Sequence, residues 1–146
     1  MTGPPRDDTS FAHRLASATN AHDIDALVAC FSDDYLNETP AHPSRGFRGP
    51  DQVRQNWTRL FAGMPDLTAR VLATAVTGDT EWSEWEMSGR RPDGTTHLMR
   101  GVIIFGVPDR TATWARFYLE PVDQSGDDVK AAVGRAAEGP QPAGRP

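Results

Sequence analysis

Three carboxylates crowd a stretch that otherwise reads as β-structure. In EWSEWEMSGRRPDGTTHLMRGVIIFGV, Glu81 to Val107, the first arm carries Glu81, Glu84 and Glu86 among Trp82, Trp85 and Met87. Side chains of a strand alternate between its faces, so Glu84 and Glu86 share one face and Glu81 takes the other. Two carboxylates in an enclosed pocket cannot both ionise cheaply; one is held protonated and acts as general acid while the other acts as base. His97, in the second arm, has an ordinary pKa near neutrality and suits a proton relay beside them. The plainer alternative is a strand face open to water, on which alternating glutamates are common, with His97 partly exposed beside a hairpin.

Which alternative holds depends on the elements that position these residues. Phe11, Leu15 and Ala18 recur at helical spacing behind Thr9 or Ser10 as cap, which predicts a helix over 11–20. Asp23 caps a second helix with the stripe Ile24, Leu27, Val28 and Phe31. Tyr35 to Thr39 reads as a short strand ended by Pro40, followed by the breaker-rich loop PAHPSRGFRG that holds His42. A third helix starts at Pro50, carries Val53, Trp57, Leu60 and Phe61 on its apolar face, and stops at Gly63. After Pro65 the period changes to two. Leu67–Thr77, Thr80–Arg91, Thr95–Val107 and Thr111–Glu120 read as four strands of an antiparallel meander. Three helices segregated on one face of such a sheet is an α+β fold.

Asp93-Gly94 is a strong tight-hairpin signal. Taken as a two-residue loop, it sets Glu84 opposite Ile103 and Glu86 opposite Gly101. A three-residue turn at Pro108 to Arg110 sets Ile103 opposite Ala115. Trp82, Glu84, Glu86 and Ser88 then lie on the helix-facing side with Ala69, Ala73, Ala75, His97, Met99, Gly101, Ile103, Phe117 and Leu119. Arg70, Trp85, Met87, Arg100, Trp114, Arg116 and Tyr118 lie on the other, a mixture of aromatics and arginines that suits a homodimer surface. A bulge in either hairpin flips this assignment and puts Trp85 and Met87 inside.

The chain has 146 residues, about one domain, with 38% hydrophobic and 24% charged residues, ordinary for a globular protein. The formal net charge is −5 and no run of Lys or Arg marks a basic face, so nucleic acid is not an expected partner. No apolar run is long enough for a membrane span. The one cysteine, Cys30, cannot form an internal disulfide, which with the acidic N-terminus points to the cytoplasm. His13, His22, His42 and His97 lack a metal-binding spacing, and no nucleotide-binding fingerprint appears, so neither metal nor cofactor is expected. The expected organisation is a disordered segment 1–9, a folded domain 10–123 and a mobile tail 124–146, the ends being rich in proline, glycine and charge.

The stretches DIDALVACFSDDYLNETP, GPDQVRQNWTRLFAGMPDLTARV, GDTEWSEWEMSG and FGVPDRTATWARFYLEP together resemble the nuclear transport factor 2-like superfamily. The resemblance is to its SnoaL-like polyketide cyclases and limonene-epoxide-hydrolase-like members. It implies a cone-shaped α+β barrel, a curved sheet wrapped over helices with the pocket inside, often dimeric and often a cofactor-free acid–base enzyme. The residues used by the epoxide hydrolases fall at Glu84, Glu86 and Phe117. Those used by the SnoaL cyclases fall near Ile103 and Phe117, and the steroid-isomerase aspartate falls near Thr39, beside Glu38. The family's usual catalytic groups are thus replaced. The expectation is a cofactor-independent cyclase or isomerase acting on a hydrophobic polyketide-like intermediate in natural-product biosynthesis. Glu84, Glu86 and His97 are its expected catalytic residues. Trp82, Tyr35, Glu38, Trp57, Met99, Gly101, Ile103, Phe117 and Leu119 are expected to contact substrate. A non-catalytic binding or dimerisation module of the same fold is the alternative.

Overall fold

The structure is a computed structural model that describes residues 10–139. Segment 1–9, expected to be disordered, and the last residues of the expected tail, 140–146, lie outside the described residues. Helix α1 (Phe11–Asn20) begins at Ser10, whose Oγ accepts the His13 backbone N–H at 3.1 Å. Helix α2 (Ile24–Val28) begins at Asp23, whose carboxylate accepts the Ala26 N–H at 3.1 Å. It stops short of Phe31, which opens strand β1 (Phe31–Glu38) and packs against Tyr35 in a tilted arrangement with ring centroids 4.6 Å apart. The breaker-rich loop contains a 3₁₀ turn (Pro43–Arg45) and a two-residue strand β2 (Phe47–Arg48). Helix α3 (Pro50–Gly63) has the expected bounds. Strands β3 (Thr68–Thr77), β4 (Thr80–Arg90), β5 (Thr96–Gly106) and β6 (Ala112–Pro121) form the meander. The segment expected as a tail carries a fourth helix, α4 (Val129–Glu138), capped by Asp128 and with no buried residue. No helix among the described residues is long and apolar enough to cross a membrane.

The six strands form one sheet in the order β2-β1-β6-β5-β4-β3. β1 runs parallel to β6, and the other pairs are antiparallel. The parallel pair demands a long crossover, which α3 and the β3–β5 meander supply. Helices and sheet enclose a core of Phe11, Leu27, Tyr35, Leu67, Trp85, Ile103 and Phe105, all nearly inaccessible to solvent. The fold is the expected α+β cone.

Register is where expectation and structure part. Across the β4–β5 hairpin Glu84 pairs with Val102, Trp85 with Gly101 and Glu86 with Arg100, one residue off the expected register. The loop is three residues, Pro92-Asp93-Gly94. The Arg91 N–H donates to the Thr95 carbonyl at 2.9 Å, and Gly94 takes φ +87°, the left-handed residue of a three-residue hairpin. Proline explains the choice. A two-residue Asp93-Gly94 loop would pair Pro92 with Thr95 in the ladder, where proline has no N–H to give; Pro92 instead suits the first corner of a type I turn.

A one-residue slip moves every side chain of a strand to the other face. On β4, Ser83, Trp85, Met87 and Gly89 therefore face the helices, and all four are buried. Trp82, Glu84, Glu86 and Ser88 face outward, contrary to the expected assignment. Ala73 and Ala75, expected on the helix-facing side, pair with Glu84 and Trp82 and so lie outside with them; a bulge between Val71 and Ala73 keeps Ala69 and Val71 inside. At the β5–β6 turn Ile103 pairs with Phe117 instead of Ala115. That is a shift of two, so the inner faces of β5 and β6 are the expected ones.

Of the three carboxylates, Glu81 alone points inward. It is 6% exposed, and its oxygens accept the backbone N–H groups of Phe11 at 3.1 Å and Ala12 at 2.8 Å. The first turn of α1 has no acidic residue of its own. A strand carboxylate thus supplies the negative charge that a helix N-terminus favours and ties α1 to the sheet.

Candidate functional site

A cavity of about 710 Å³ lies between the inner sheet face and the helices. α1 contributes Leu15 and Thr19; β1 contributes Phe31, Tyr35 and Asn37; α3 contributes Val53, Asn56, Trp57, Arg59 and Leu60. Trp85 and Met87 come from β4, His97, Met99 and Ile103 from β5, and Phe117 and Leu119 from β6. Thr39, Arg45 and Phe47, from the strap between β1 and α3, complete the lining. The volume is in the range of pockets that enclose drug-sized molecules, and the lining is mostly apolar, as such pockets are.

The floor is rigid. The Trp85 indole N–H donates to Ser83 Oγ at 2.8 Å, and the Ser83 hydroxyl donates to the Ile103 carbonyl at 2.7 Å. The buried indole nitrogen is thus satisfied away from the cavity. Against this apolar surface stands one buried polar pair on β1. Tyr35 Oη donates to Asn37 Oδ1 at 2.7 Å; the residues are 1% and 7% exposed. Their spacing of two puts both on the inner face. Burial pushes the Tyr35 phenol well above its ordinary pKa, so it stays protonated. Its proton is engaged by Asn37 Oδ1. The Asn37 Nδ2 hydrogens have no side-chain bond among the described residues and are the donors left to offer a ligand.

His97 lines the same cavity, half-buried. Its Nδ1 accepts from Arg91 at 3.0 Å, which places the ring hydrogen on Nε2. Burial, and then the Arg91 charge, hold its pKa below the usual imidazole value, so the ring is neutral near pH 7 and able to donate from Nε2.

Of the residues expected to contact substrate, Tyr35, Trp57, Met99, Ile103, Phe117 and Leu119 line the cavity. The rest do not. Glu84 is exposed on the outer face. Glu86 bridges Arg70 at 3.0 Å and Arg100 at 2.8 Å across the outer strands. The Arg100 hydrogen bond, with Arg70 behind it, holds the Glu86 carboxyl below the usual range. Its ion pairs hold it on the outer face, away from the cavity. Trp82 is 49% exposed on the outer face. Glu38 pairs with Arg116 at 3.2 Å, also outside. Gly101 is not part of the lining; it takes φ +152° on β5, paired with Trp85 on one side and Leu119 on the other. No carboxylate is found among the residues that line the cavity.

Asn37, Trp85, Met87, Arg45, Arg59 and Asn56 were not expected here. The signal for Asn37 was its spacing from Tyr35, and that for Asn56 was its place three residues past Val53 on the α3 stripe. Arg45 reaches the cavity through the strap, which no local pattern positions.

A family model described as a SnoaL-like domain matches residues 12–117. Among proteins with curated descriptions none matches the chain. Solved structures share the fold. An NTF2-like protein of unknown function from Exiguobacterium sp. is 20% identical, the match covering 79% of this chain and 100% of that one with a TM-score of 0.64. A Mycobacterium tuberculosis protein in complex with estradiol-17beta-hemisuccinate is 21% identical, over 74% of this chain and 89% of that one, with a TM-score of 0.64. A putative polyketide cyclase from Sinorhizobium meliloti is 20% identical, over 75% of this chain and 93% of that one, with a TM-score of 0.58. With the family match spanning most of the chain, and a curved six-stranded sheet closing over its helices, the protein belongs to the SnoaL-like domain family of the nuclear transport factor 2-like superfamily.

Proposed function

We propose that the cone holds a hydrophobic polyketide-like molecule and that the protein is a cofactor-independent cyclase or isomerase acting on it. The observation that carries this reading is an apolar cavity of about 710 Å³ containing one buried polar pair, Tyr35 and Asn37. The walls fold a flexible chain into a reactive shape, which is catalysis by proximity. Asn37 Nδ2 donates to a substrate carbonyl and draws electron density from the neighbouring double bond. His97 Nε2–H offers a second donor nearer the opening. The β4 carboxylates take no part in this scheme.

The test uses linear polyene ketones, with products separated by liquid chromatography and mass spectrometry. Cyclisation or isomerisation gives a product of unchanged mass with altered retention and absorbance. Glu84→Gln/Glu86→Gln is expected to bind and turn over ligand within about twofold of the unsubstituted protein, as outer-face changes usually do. A large loss in that variant would return the chemistry to β4. A second reading, a non-catalytic binding module, is favoured by the absence of a carboxylate from the lining. It predicts saturable binding with every ligand recovered unchanged.

The same proposal includes a homodimer through the outer sheet face, where Leu72, Trp82 and Tyr118 are exposed. Sedimentation velocity is expected to give a dimer that Trp82→Glu dissociates; a monomer at all concentrations overturns it.

A further inference from the structure

Resting on the reading of the cone as a ligand chamber, we propose that its ligand carries an anionic group, a carboxylate in kind, held at the opening by Arg45 and Arg59. Both arginines line the cavity and both are exposed, so they stand where the cavity meets solvent. Neither has an ion-pair partner among the described residues.

The contrast with the outer face is informative. There Arg70 and Arg100 share Glu86, and Arg116 pairs with Glu38. The chain carries a formal net charge of −5, so carboxylates are plentiful, yet none lines the cavity. Two guanidinium groups without a carboxylate partner thus border a mostly apolar chamber. They come from separate elements, the 3₁₀ turn of the strap and α3. Guanidinium forks match a carboxylate in geometry and charge. A ligand with an apolar body in the cone and an anion at the mouth would satisfy both groups and bridge the strap to α3. A neutral ligand would leave both cations facing only water.

The experiment uses cis-parinaric acid and its methyl ester, which share one fluorescent polyene body and differ in charge. At low salt the acid is expected to bind about tenfold tighter than the ester, the scale of a charge-assisted hydrogen bond. Arg45→Gln/Arg59→Gln is expected to bring the acid to the level of the ester and leave the ester within about twofold. Added salt should narrow the gap in the unsubstituted protein. Equal affinity for acid and ester, or a preference for acid that survives the double substitution, overturns the inference while the chamber itself stands. Failure of both probes to bind overturns the chamber and the inference together.

Discussion

Gly101→Ala is expected to lower the melting temperature on the order of 10 °C, from a loss of about 3 kcal/mol. Gly101 takes φ +152°, a conformation that side-chain-bearing residues rarely adopt. A Cβ added there would overlap the Tyr118 carbonyl oxygen and come within 2.9 Å of the Leu119 Cα. Both obstacles are backbone of the neighbouring strand, so neither can swing aside as a side-chain tip would. The strain and the overlap add. The effect also reaches the site, because Gly101 lies between Trp85 and Leu119 in register and both line the cavity. Gly134→Ala is the control. It lies within α4, where an added Cβ meets nothing within 4 Å, so the melting temperature should hold or rise slightly. Equal melting of the Gly101 variant and the unsubstituted protein would mean that Gly101 does not hold this conformation against the Tyr118 backbone.

Asn37→Leu is expected to lower the affinity and turnover of a ketone ligand about tenfold to a hundredfold, and to leave the matching hydrocarbon unaffected. The size follows from the roughly 1–3 kcal/mol cost of stranding a buried polar group. The same substitution leaves the Tyr35 hydroxyl without its 2.7 Å partner, so stability falls as well. Asn37→Leu combined with Tyr35→Phe removes both polar groups and should recover much of that stability without recovering ketone recognition. This pairing separates a damaged core from a lost binding group. A loss for ketone and hydrocarbon alike would reduce Asn37 to a packing residue.

The architecture was legible because its signals are local. Ser10 and Pro50 mark helix starts, and the α3 stripe and the alternation from Leu67 onward set element types. The cavity walls of β5 and β6 were legible for a different reason: the turn after Gly106 shifts register by two, and an even shift preserves faces. The β4 wall was misread by a single residue. Asp93-Gly94 alone signals a two-residue loop, but Pro92 in front of it cannot donate to the ladder, and that one missing N–H selects a three-residue loop. The consequence is large. It exchanges Glu84 and Glu86 for Trp85 and Met87 inside the cone, turning an expected acidic site into an apolar one. Arg45 and Arg59 were out of reach, because whether an exposed arginine borders a cavity is decided by tertiary packing and not by spacing along the chain.

The most direct measurement is a titration of protein labelled with ¹³C at its methionine methyl groups, followed by two-dimensional NMR as cis-parinaric acid is added. The chain has four methionines, Met1, Met64, Met87 and Met99. Met87 and Met99 line the cavity from β4 and β5, whereas Met64 is buried outside the lining, against Gly89. Saturable shifts of the Met87 and Met99 signals, with Met64 unmoved, are the expected result. If Met87 stays still while ligand binds, or if no methionine signal moves at saturating ligand, the cone is not the binding chamber described above.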